Sequence, residues 1–519
     1  MTHGQRHFSS YAEEICSALT RFPEREAVVR GEQRFTAGQL RDLVFRMARV
    51  FETRGLGPGK TVALLGGNLP QLLAARYAAH LLGCRVVHLY ARLSVAAQAV
   101  IVRDVETGVL VVDPRVAGRA GELAARSGVP DILTLGPAAV GEDLLELAAC
   151  RSAGTFPGRA RPQDICVIQY TGGTTGRPKG VCTTFAQEAA RGERPRVPDV
   201  ARRLLVCTTL AHAAGRLTDR TLAAGGSVVL LEDFEPAEVL TAIERERISW
   251  LFLLPPLLSR LLDHPDCGRR DTSTLTTLLY GGCVASPGRI SEALSRIGPV
   301  LSQGYGQMEA GGISQLTTED HDPQRPERLR SAGRPLPGVR VAIRDTAGND
   351  VPAGEAGEIC VRSDTVMQGY WKQPELTAEV LRDGWLHTGD LGRLDADGYL
   401  TVLDRLRDVV IMVGGKFHTS ELEDVLESHP GVRQSAVFGI PDTDGVDQVH
   451  AVVVPTPDGT VDERQLRELA RTELGEIYDA IRITFTTQLP LTETGKPDKK
   501  LLRQHSSRTP PNCGADSCA

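Results

Sequence analysis

The sequence predicts an α/β protein built on parallel sheet, with more than one domain. Two observations carry the class and a third the domain count. Short apolar runs of strand length alternate with amphipathic helical patterns along most of the chain. Its composition, 41% hydrophobic and 24% charged, is that of an ordinary globular protein. At 519 residues it exceeds what one hydrophobic core holds together.

The elements follow in order. Thr36, with Gln39 three residues on, reads as a capping box. Leu40, Val44, Met47, Ala48 and Phe51 then keep helical spacing up to Gly55. Gly55–Lys60 carries glycines and a lysine, but it precedes a strand instead of following one, so it reads as a turn. Strand Val62–Leu65, helix Gln71–Leu82 and strand Arg85–Leu89 complete a βαβ unit, and Val109–Val112 adds a strand. Ile165–Gln169 is an apolar run of buried-strand type. Strands Arg203–Thr208, Val228–Glu232 and Trp250–Leu254, with helix Pro236–Glu246, continue the alternation, and Leu278–Ala285 is a strand running into a glycine turn. Asp397-Gly398 is a hairpin turn. Helix Ser420–Ser428 and strands Gln434–Gly439 and Val449–Val454 form a later, shorter series, and 504–519 reads as a polar, disordered tail. The chain has no internal repeat.

The totals exclude several function classes. A net charge of −6 offers no basic field for nucleic acid or an anionic membrane. Apolar runs such as Trp250–Leu258 are too short to span a bilayer, and Met1-Thr2-His3-Gly4 does not open a signal peptide. Eleven scattered cysteines without a Cys-x-x-Cys argue against a zinc site and for reduced thiols, hence a cytoplasmic location. Only seven of the 59 basic residues are lysines, a bias expected of a GC-rich bacterial genome, which gives each lysine more weight.

The chemistry concentrates in Tyr170-Thr171-Gly172-Gly173-Thr174-Thr175-Gly176-Arg177-Pro178-Lys179-Gly180. Glycines permit positive φ and close backbone approach, so backbone N–H groups can converge on an anion, and threonine hydroxyls and a lysine add donors. That is phosphate-binding chemistry. It is not a Walker A loop, because Lys179 lies between Pro178 and Gly180 with no Gly-Lys-Ser/Thr opening a helix.

This stretch resembles the phosphate loop of the adenylate-forming superfamily, which includes acyl-CoA synthetases, adenylation domains of nonribosomal peptide synthetases and luciferases. Gly172 alone departs, standing where Ser is usual. Further similar blocks cover nearly the whole chain: Leu278–Ala285, Gln303–Glu309, Gly357-Glu358-Ile359, Gly369-Tyr370-Trp371, Trp385–Gly392, Asp404–Asp408, Gly414–Lys416 and Leu489–Asp498.

The resemblance implies a large N-terminal adenylation domain of stacked α/β sheets with a small β subdomain (1–404). A small, mobile α+β C-terminal lid domain (405–503) would turn on Arg407. ATP, Mg²⁺ and coenzyme A are the implied cofactors and co-substrates. Nucleotide contacts would come from Thr171, Gly172, Gly173, Thr174, Thr175, Gly176 and Lys179. Gly282, Cys283 and Val284 would form the adenine loop, with Tyr305 stacked on the base beside Gly306 and Met308. Asp390 would accept from the ribose hydroxyls, and Arg405 would reach ribose or phosphate. Glu309 and Thr174 would hold Mg²⁺. Lys496, on a glycine-hinged loop, would be the movable cation at the carboxylate–α-phosphate junction.

His212 stands where relatives place a histidine between acyl pocket and nucleotide. Ala213, Ala214, Gly215, Gly281, Ala310 and Gly311, with Gly282 and Gly312, are the small pocket positions. Ala213 replaces an Asp that amino-acid-activating relatives use for the substrate ammonium, so the acid should lack an α-amino group. Eight small, uncharged positions imply a bulky, largely apolar acid. Gly414 and Lys416 would face a pantetheine tunnel.

Met308 stands where a Thr is usual, and Val413, Phe417 and Thr419 depart from Gly, an aliphatic residue and Pro. The expected reaction is adenylation of a carboxylic acid followed by transfer to coenzyme A, in bacterial specialised metabolism. The alternatives are adenylation with delivery to a carrier protein, an amine or a partner ligase, and a non-catalytic nucleotide binder.

Overall fold

The computed structural model describes residues 8–90, 93–171, 179–192, 202–406, 410–412, 415–417, 419–441, 447–457, 459–474, 481–492 and 496–506. The α/β expectation holds, with two large sheets. The eight-stranded one centres on Thr61–Leu65, flanked in parallel by Arg85–His88 and Thr107–Val112, with Ile165–Thr171 parallel beyond Arg85–His88. The nine-stranded one runs in parallel through Leu301–Gln307, Thr277–Gly281, Trp250–Leu253, Arg203–Val206, Ser227–Leu230 and Glu26–Arg30.

Strand alternation explains the layering. Val62 and Leu64 pack with Leu204, Val206, Val228 and Leu230 into one core between the two sheets, filled by helices Tyr11–Arg21, Ala37–Thr53, Pro70–Leu81 and Ala213–Ala223. Ala63 and Leu65 face the opposite way, into a core with Val87, Leu110 and Val112. Leu205, Val229, Leu251 and Leu253 face helices Pro236–Arg245 and Pro255–Asp263. Both faces of each sheet are covered, which is why the strands read as unbroken apolar runs.

The expected capping box is present: Thr36 Oγ1 accepts from the Gln39 N–H at 3.2 Å, and Gln39 Oε1 accepts from the Thr36 N–H at 2.9 Å. The helix Tyr11–Arg21 carries a second box, Ser10 with Glu13, which the sequence reading passed over. The phosphate loop joins two antiparallel strands, Ile165–Thr171 and Lys179–Thr184, paired up to Thr171↔Lys179. Residues 172–178, hence Gly172, Gly173, Thr174, Thr175 and Gly176, lie outside the described residues, but the loop's two ends are neighbours.

A five-stranded antiparallel sheet contains Arg340–Arg344, Gly357–Arg362, Trp385–Leu394 and Leu400–Arg405. Beyond it, Val432–Pro441, Asp447–Pro455 and Arg482–Phe485 form a three-stranded sheet covered by helices Thr419–Ser428, Glu463–Leu474 and Lys499–Ser506. The expected tail from Gln504 is corrected, because that last helix continues through Ser506 with Leu502 buried in the small core. Among the described residues, no helix is long and apolar enough to cross a membrane, and the nine cysteines are free thiols.

One half-buried carboxyl on helix Thr419–Ser428 is expected to give the small domain a pH dependence. Burial raises Glu427 to about 8, against the Ser435 N–H, which donates to its Oε1 at 2.7 Å; the charges of Glu423 and Asp424 add to the rise. A carboxyl raised in the fold stabilises it fully below the unfolded carboxylate range, and that contribution is lost as pH climbs through the folded value. The melting temperature should therefore fall between about pH 5 and about 8, and Glu427→Gln should flatten that fall by a few degrees. Thermal melts across this range check it; an equal slope in the variant would assign the dependence elsewhere.

Candidate active site

The site is assembled from strand ends of the nine-stranded sheet, the antiparallel sheet and one loop of the small domain. Asp390, 3% exposed, is its anchor. It stands opposite Arg405 in the strand pair, and Arg405 Nε donates to Oδ1 at 2.9 Å. Oδ2 accepts from the Tyr305 hydroxyl at 2.6 Å and from the Gln307 amide. Burial first, then the Asp390 charge, raises Tyr305 well above the ordinary phenol range, so it stays a donor. The turn carrying Asp390 is itself held, with Gly389 in left-handed conformation (φ +68°) and its N–H donating to Glu358 Oε1 at 3.1 Å. Glu358 Oε2 holds His387 Nδ1 at 2.7 Å, which gives the Glu358–Cys360–His387 group a structural task.

Glu309 lies in the turn two residues past the strand bearing Tyr305. Its Oε1 accepts from the Tyr370 hydroxyl at 3.0 Å, and the Lys179 ammonium lies 5.4 Å from the Tyr370 ring centre. Arg191, 3% exposed in its side chain, holds this corner: it donates to Met308 O at 2.8 Å and Thr365 O at 2.9 Å and pairs with Glu188. The sequence reading missed Arg191, because nothing in the spacing of helix Phe185–Gly192 points to residues 308 and 365.

Lys496 reaches this site from the small domain. Its loop is closed on itself: the Thr492 N–H donates to Lys496 O at 2.7 Å, and the Lys496 N–H to Thr492 Oγ1 at 3.1 Å. Lys496 Cε lies 3.8 Å from where a Cβ on Gly282 would stand. Burial lowers the ammonium pKa; Cys283, Asp390 and Glu309 act against that and Arg405 with it. One lysine therefore feels the expected adenine loop, ribose anchor and metal carboxylate together. Cys283 is pushed by burial up to about 12, a neutral thiol, and the Val284 side chain is half exposed.

His212 caps the helix Ala213–Ala223 and stacks on Tyr90, ring centres 4.9 Å apart and 10° from parallel. The Gln169 amide sits 3.1 Å from His212 Nδ1, and Nε2 is buried with no hydrogen-bond partner among the described residues. Burial, then the Arg216 and Lys496 charges, push His212 down to about 4, so the ring is neutral near pH 7.

Several of the small positions are also required by the backbone that runs past them. A Cβ on Gly215 would lie 2.0 Å from Leu210 O, and one on Gly281 would lie 2.1 Å from its strand partner Gly304 O. One on Gly312 would meet the Leu336 side chain at 2.9 Å. Gly311 (φ +77°) leaves room for Arg191 Nε at 3.1 Å. Ala214 and Ala310 are buried in hydrophobic cores. Ala213 and Gly282 remain at the site. A charged group outside the eight small positions stands nearby: Arg216, one helical turn past His212, donates to Gln169 Oε1 at 3.3 Å and lies 3.7 Å from Glu188. Arg407 and Gly414 lie outside the described residues, as does the side chain of Lys416; its backbone pairs with Ile411 in a two-stranded hairpin.

Residues 17–371 match the model of the AMP-binding enzymes, and 421–496 that of the AMP-binding enzyme C-terminal domain. The chain belongs to this family. Within the adenylate-forming superfamily that the two matches define, it is an AMP-forming ligase. It is 37% identical to the medium/long-chain-fatty-acid–CoA ligase FadD8 of Mycobacterium tuberculosis, over 94% of this chain and 89% of that one. It is 35% identical to a feruloyl-CoA synthase of Amycolatopsis, over 91% and 94%. Among solved structures it superposes on the amide bond synthetase McbA of Marinactinospora thermotolerans with TM-score 0.87 and 39% identity, covering 95% and 99% of the two chains. The adenylate-forming fold explains why one site draws on both domains: the family's two matched segments are the two parts that meet at Lys496.

Proposed function

We propose that this enzyme activates a medium-to-large carboxylic acid with ATP and passes the acyl group to a thiol, coenzyme A being the acceptor. The observation that carries the first half is the approach of Lys496 to the Gly282–Cys283 turn, within electrostatic reach of Asp390, Arg405 and Glu309. The substrate carboxylate attacks the α-phosphorus of ATP, the P–O bond to pyrophosphate breaks, and acyl-adenylate forms. Lys496 neutralises charge that builds on the α-phosphate, where a fixed cation in a partly dry site is worth most. Asp390 orients the ribose through its two hydroxyls, Arg405 and Tyr305 fix Asp390, and Lys179 with Thr171–Gly176 cradles the phosphates.

The donor chemistry fits a divalent cation. Glu309 has one oxygen tied to Tyr370, and among the described residues the other has no hydrogen-bond donor, leaving it for Mg²⁺ with Thr174. Magnesium would offset the triphosphate charge. Neutral His212, with Nδ1 facing the Gln169 amide, keeps an N–H at Nε2 for the acyl side of the site.

The reading divides the chain at 404/405, with Arg407 as the hinge that withdraws Lys496 and presents Gly414 and Lys416 to the incoming thiol. Fatty and aromatic acids in the names of two relatives support an acid larger than acetate. An amine acceptor is the second reading, favoured by the 39% identity to an amide bond synthetase and by the departures of Val413, Phe417 and Thr419 from the pattern of the thiol-transferring relatives.

Acid-dependent ATP–pyrophosphate exchange over a panel of acids, with product analysis in coenzyme A or amines, tests this. Decanoate- or cinnamate-sized acids should exceed acetate in specificity constant, and a thioester should form. Gly414→Leu should spare exchange and lower thioester formation at least about tenfold by filling the tunnel. Acetate preferred over the larger acids, or amide without thioester, would replace the corresponding half of the proposal.

A further inference from the structure

Strand Leu400–Arg405 ends in two adjacent side chains with different partners. Arg405 pairs with Asp390 in the nucleotide site. Asp404 turns to the small domain instead: its Oδ2 accepts from the Thr419 N–H at 2.7 Å and from the Thr419 hydroxyl at 2.9 Å. Thr419 Oγ1 in turn accepts from Lys499 Nζ at 3.0 Å, and Lys499 pairs with Glu423 Oε1 at 2.9 Å. Glu423 is fixed by the Val437 N–H at 2.7 Å.

Lys499 lies three residues beyond Lys496, at the start of helix Lys499–Ser506. Between them the chain has little freedom. Leu491 bridges Pro497, the Asp498 N–H donates to Pro490 O at 2.8 Å, and the Thr492–Lys496 turn is closed on itself. A line of hydrogen bonds therefore runs from the residue beside Arg405, through Thr419, to the root of the Lys496 loop. Thr419 is fully buried, so the bonds it makes with charged groups are shielded from water and correspondingly strong. The Ser420 hydroxyl, donating to Leu403 O, repeats the strand-to-helix contact one residue along.

The structure assigns to Asp404, Thr419 and Lys499 a positioning role: they dock the Lys496 loop over the nucleotide site for acid activation. The assignment rests on the proposed roles of Lys496 and of Arg407 as hinge. Asp404 precedes Arg407 and Thr419 follows it, so a rotation there that moves the small domain breaks both Asp404–Thr419 bonds. The latch thus stabilises the activating arrangement and is absent from the transferring one. A proline at 419 has neither N–H nor hydroxyl and cannot form it.

The test separates the half-reactions. Acid-dependent pyrophosphate exchange reports activation, and single-turnover consumption of synthetic acyl-adenylate by the parent enzyme's acceptor reports transfer. Asp404→Ala and Thr419→Pro should lower the exchange rate about tenfold or more, the loss expected of a charge-assisted pair of bonds. Thr419→Val, which keeps only the N–H, should fall between these and the parent, and Thr419→Ser should restore exchange. Transfer should stay at the parent rate or rise in all four. Parent-rate exchange in both Asp404→Ala and Thr419→Pro would overturn the assignment, as would equal loss of both half-reactions in those two variants. Lys496→Ala, run alongside, keeps the two readings apart. If it loses exchange while Asp404→Ala and Thr419→Pro keep it, only the positioning role fails; if it exchanges at the parent rate, the role of Lys496 fails.

Discussion

Lys496→Ala is expected to lower acid-dependent pyrophosphate exchange by about 10²–10³-fold, the range seen when one preorganised donor to a developing charge is removed. The cation matters most when negative charge gathers at phosphorus, so ATP binding should change little. Stability should also hold, because the half-buried ammonium has no ion-pair partner among the described residues and sits among Arg405, Asp390 and Glu309 only at electrostatic range. Nucleotide affinity by calorimetry and a thermal melt accompany the exchange assay. Parent-rate exchange in the variant would remove Lys496 from the chemistry. A matching fall in ATP affinity would make it a binding residue. Burial also lowers the lysine pKa, so the alkaline limb of the exchange profile should lie below the ordinary lysine range and be missing from the residual activity of the variant.

Asp390→Ala is expected to weaken ATP binding by about 10²-fold or more, since two hydrogen bonds from ribose hydroxyls to one carboxylate are lost. The side chain does a second job: it ties together Tyr305, Gln307 and Arg405, which come from two different sheets. Removing it takes the Asp390 acceptor from the Tyr305 hydroxyl and leaves the Gln307 amide with Thr388 O alone, so a lower melting temperature should accompany the loss. Ribose recognition is separated from this by comparing ATP with 2′,3′-dideoxy-ATP. The parent should lose affinity for the dideoxy nucleotide, and Asp390→Ala should treat the two alike. If the variant still discriminates, another group reads the ribose and Asp390 serves only to hold the strand ends together.

The chain itself determined the alternation of strands and helices, the Thr36 capping box and the dense glycine–threonine loop. These depend on neighbours in sequence: periodicity, cap chemistry and local spacing act over a few residues. The blocks holding Glu309, Asp390, Arg405 and Lys496 were legible through their resemblance to the family's motifs, each being a short run of neighbouring residues. What those residues touch was decided only by the tertiary structure. Arg191 supports Met308 and Thr365 across more than a hundred residues of chain, and no local pattern reports it. Gly215 and Gly281 looked like spare volume, but side-chain size says nothing of which backbone runs past, and here Leu210 O and Gly304 O fill that space. Arg216 entered the surroundings of His212 because a helix turn and the strand bearing Gln169 meet there. The join between the two domains is the clearest case. Asp404, Thr419 and Lys499 are ordinary polar residues far apart in sequence, and they become one hydrogen-bonded line only where a strand end, a helix start and the Lys496 loop are packed together.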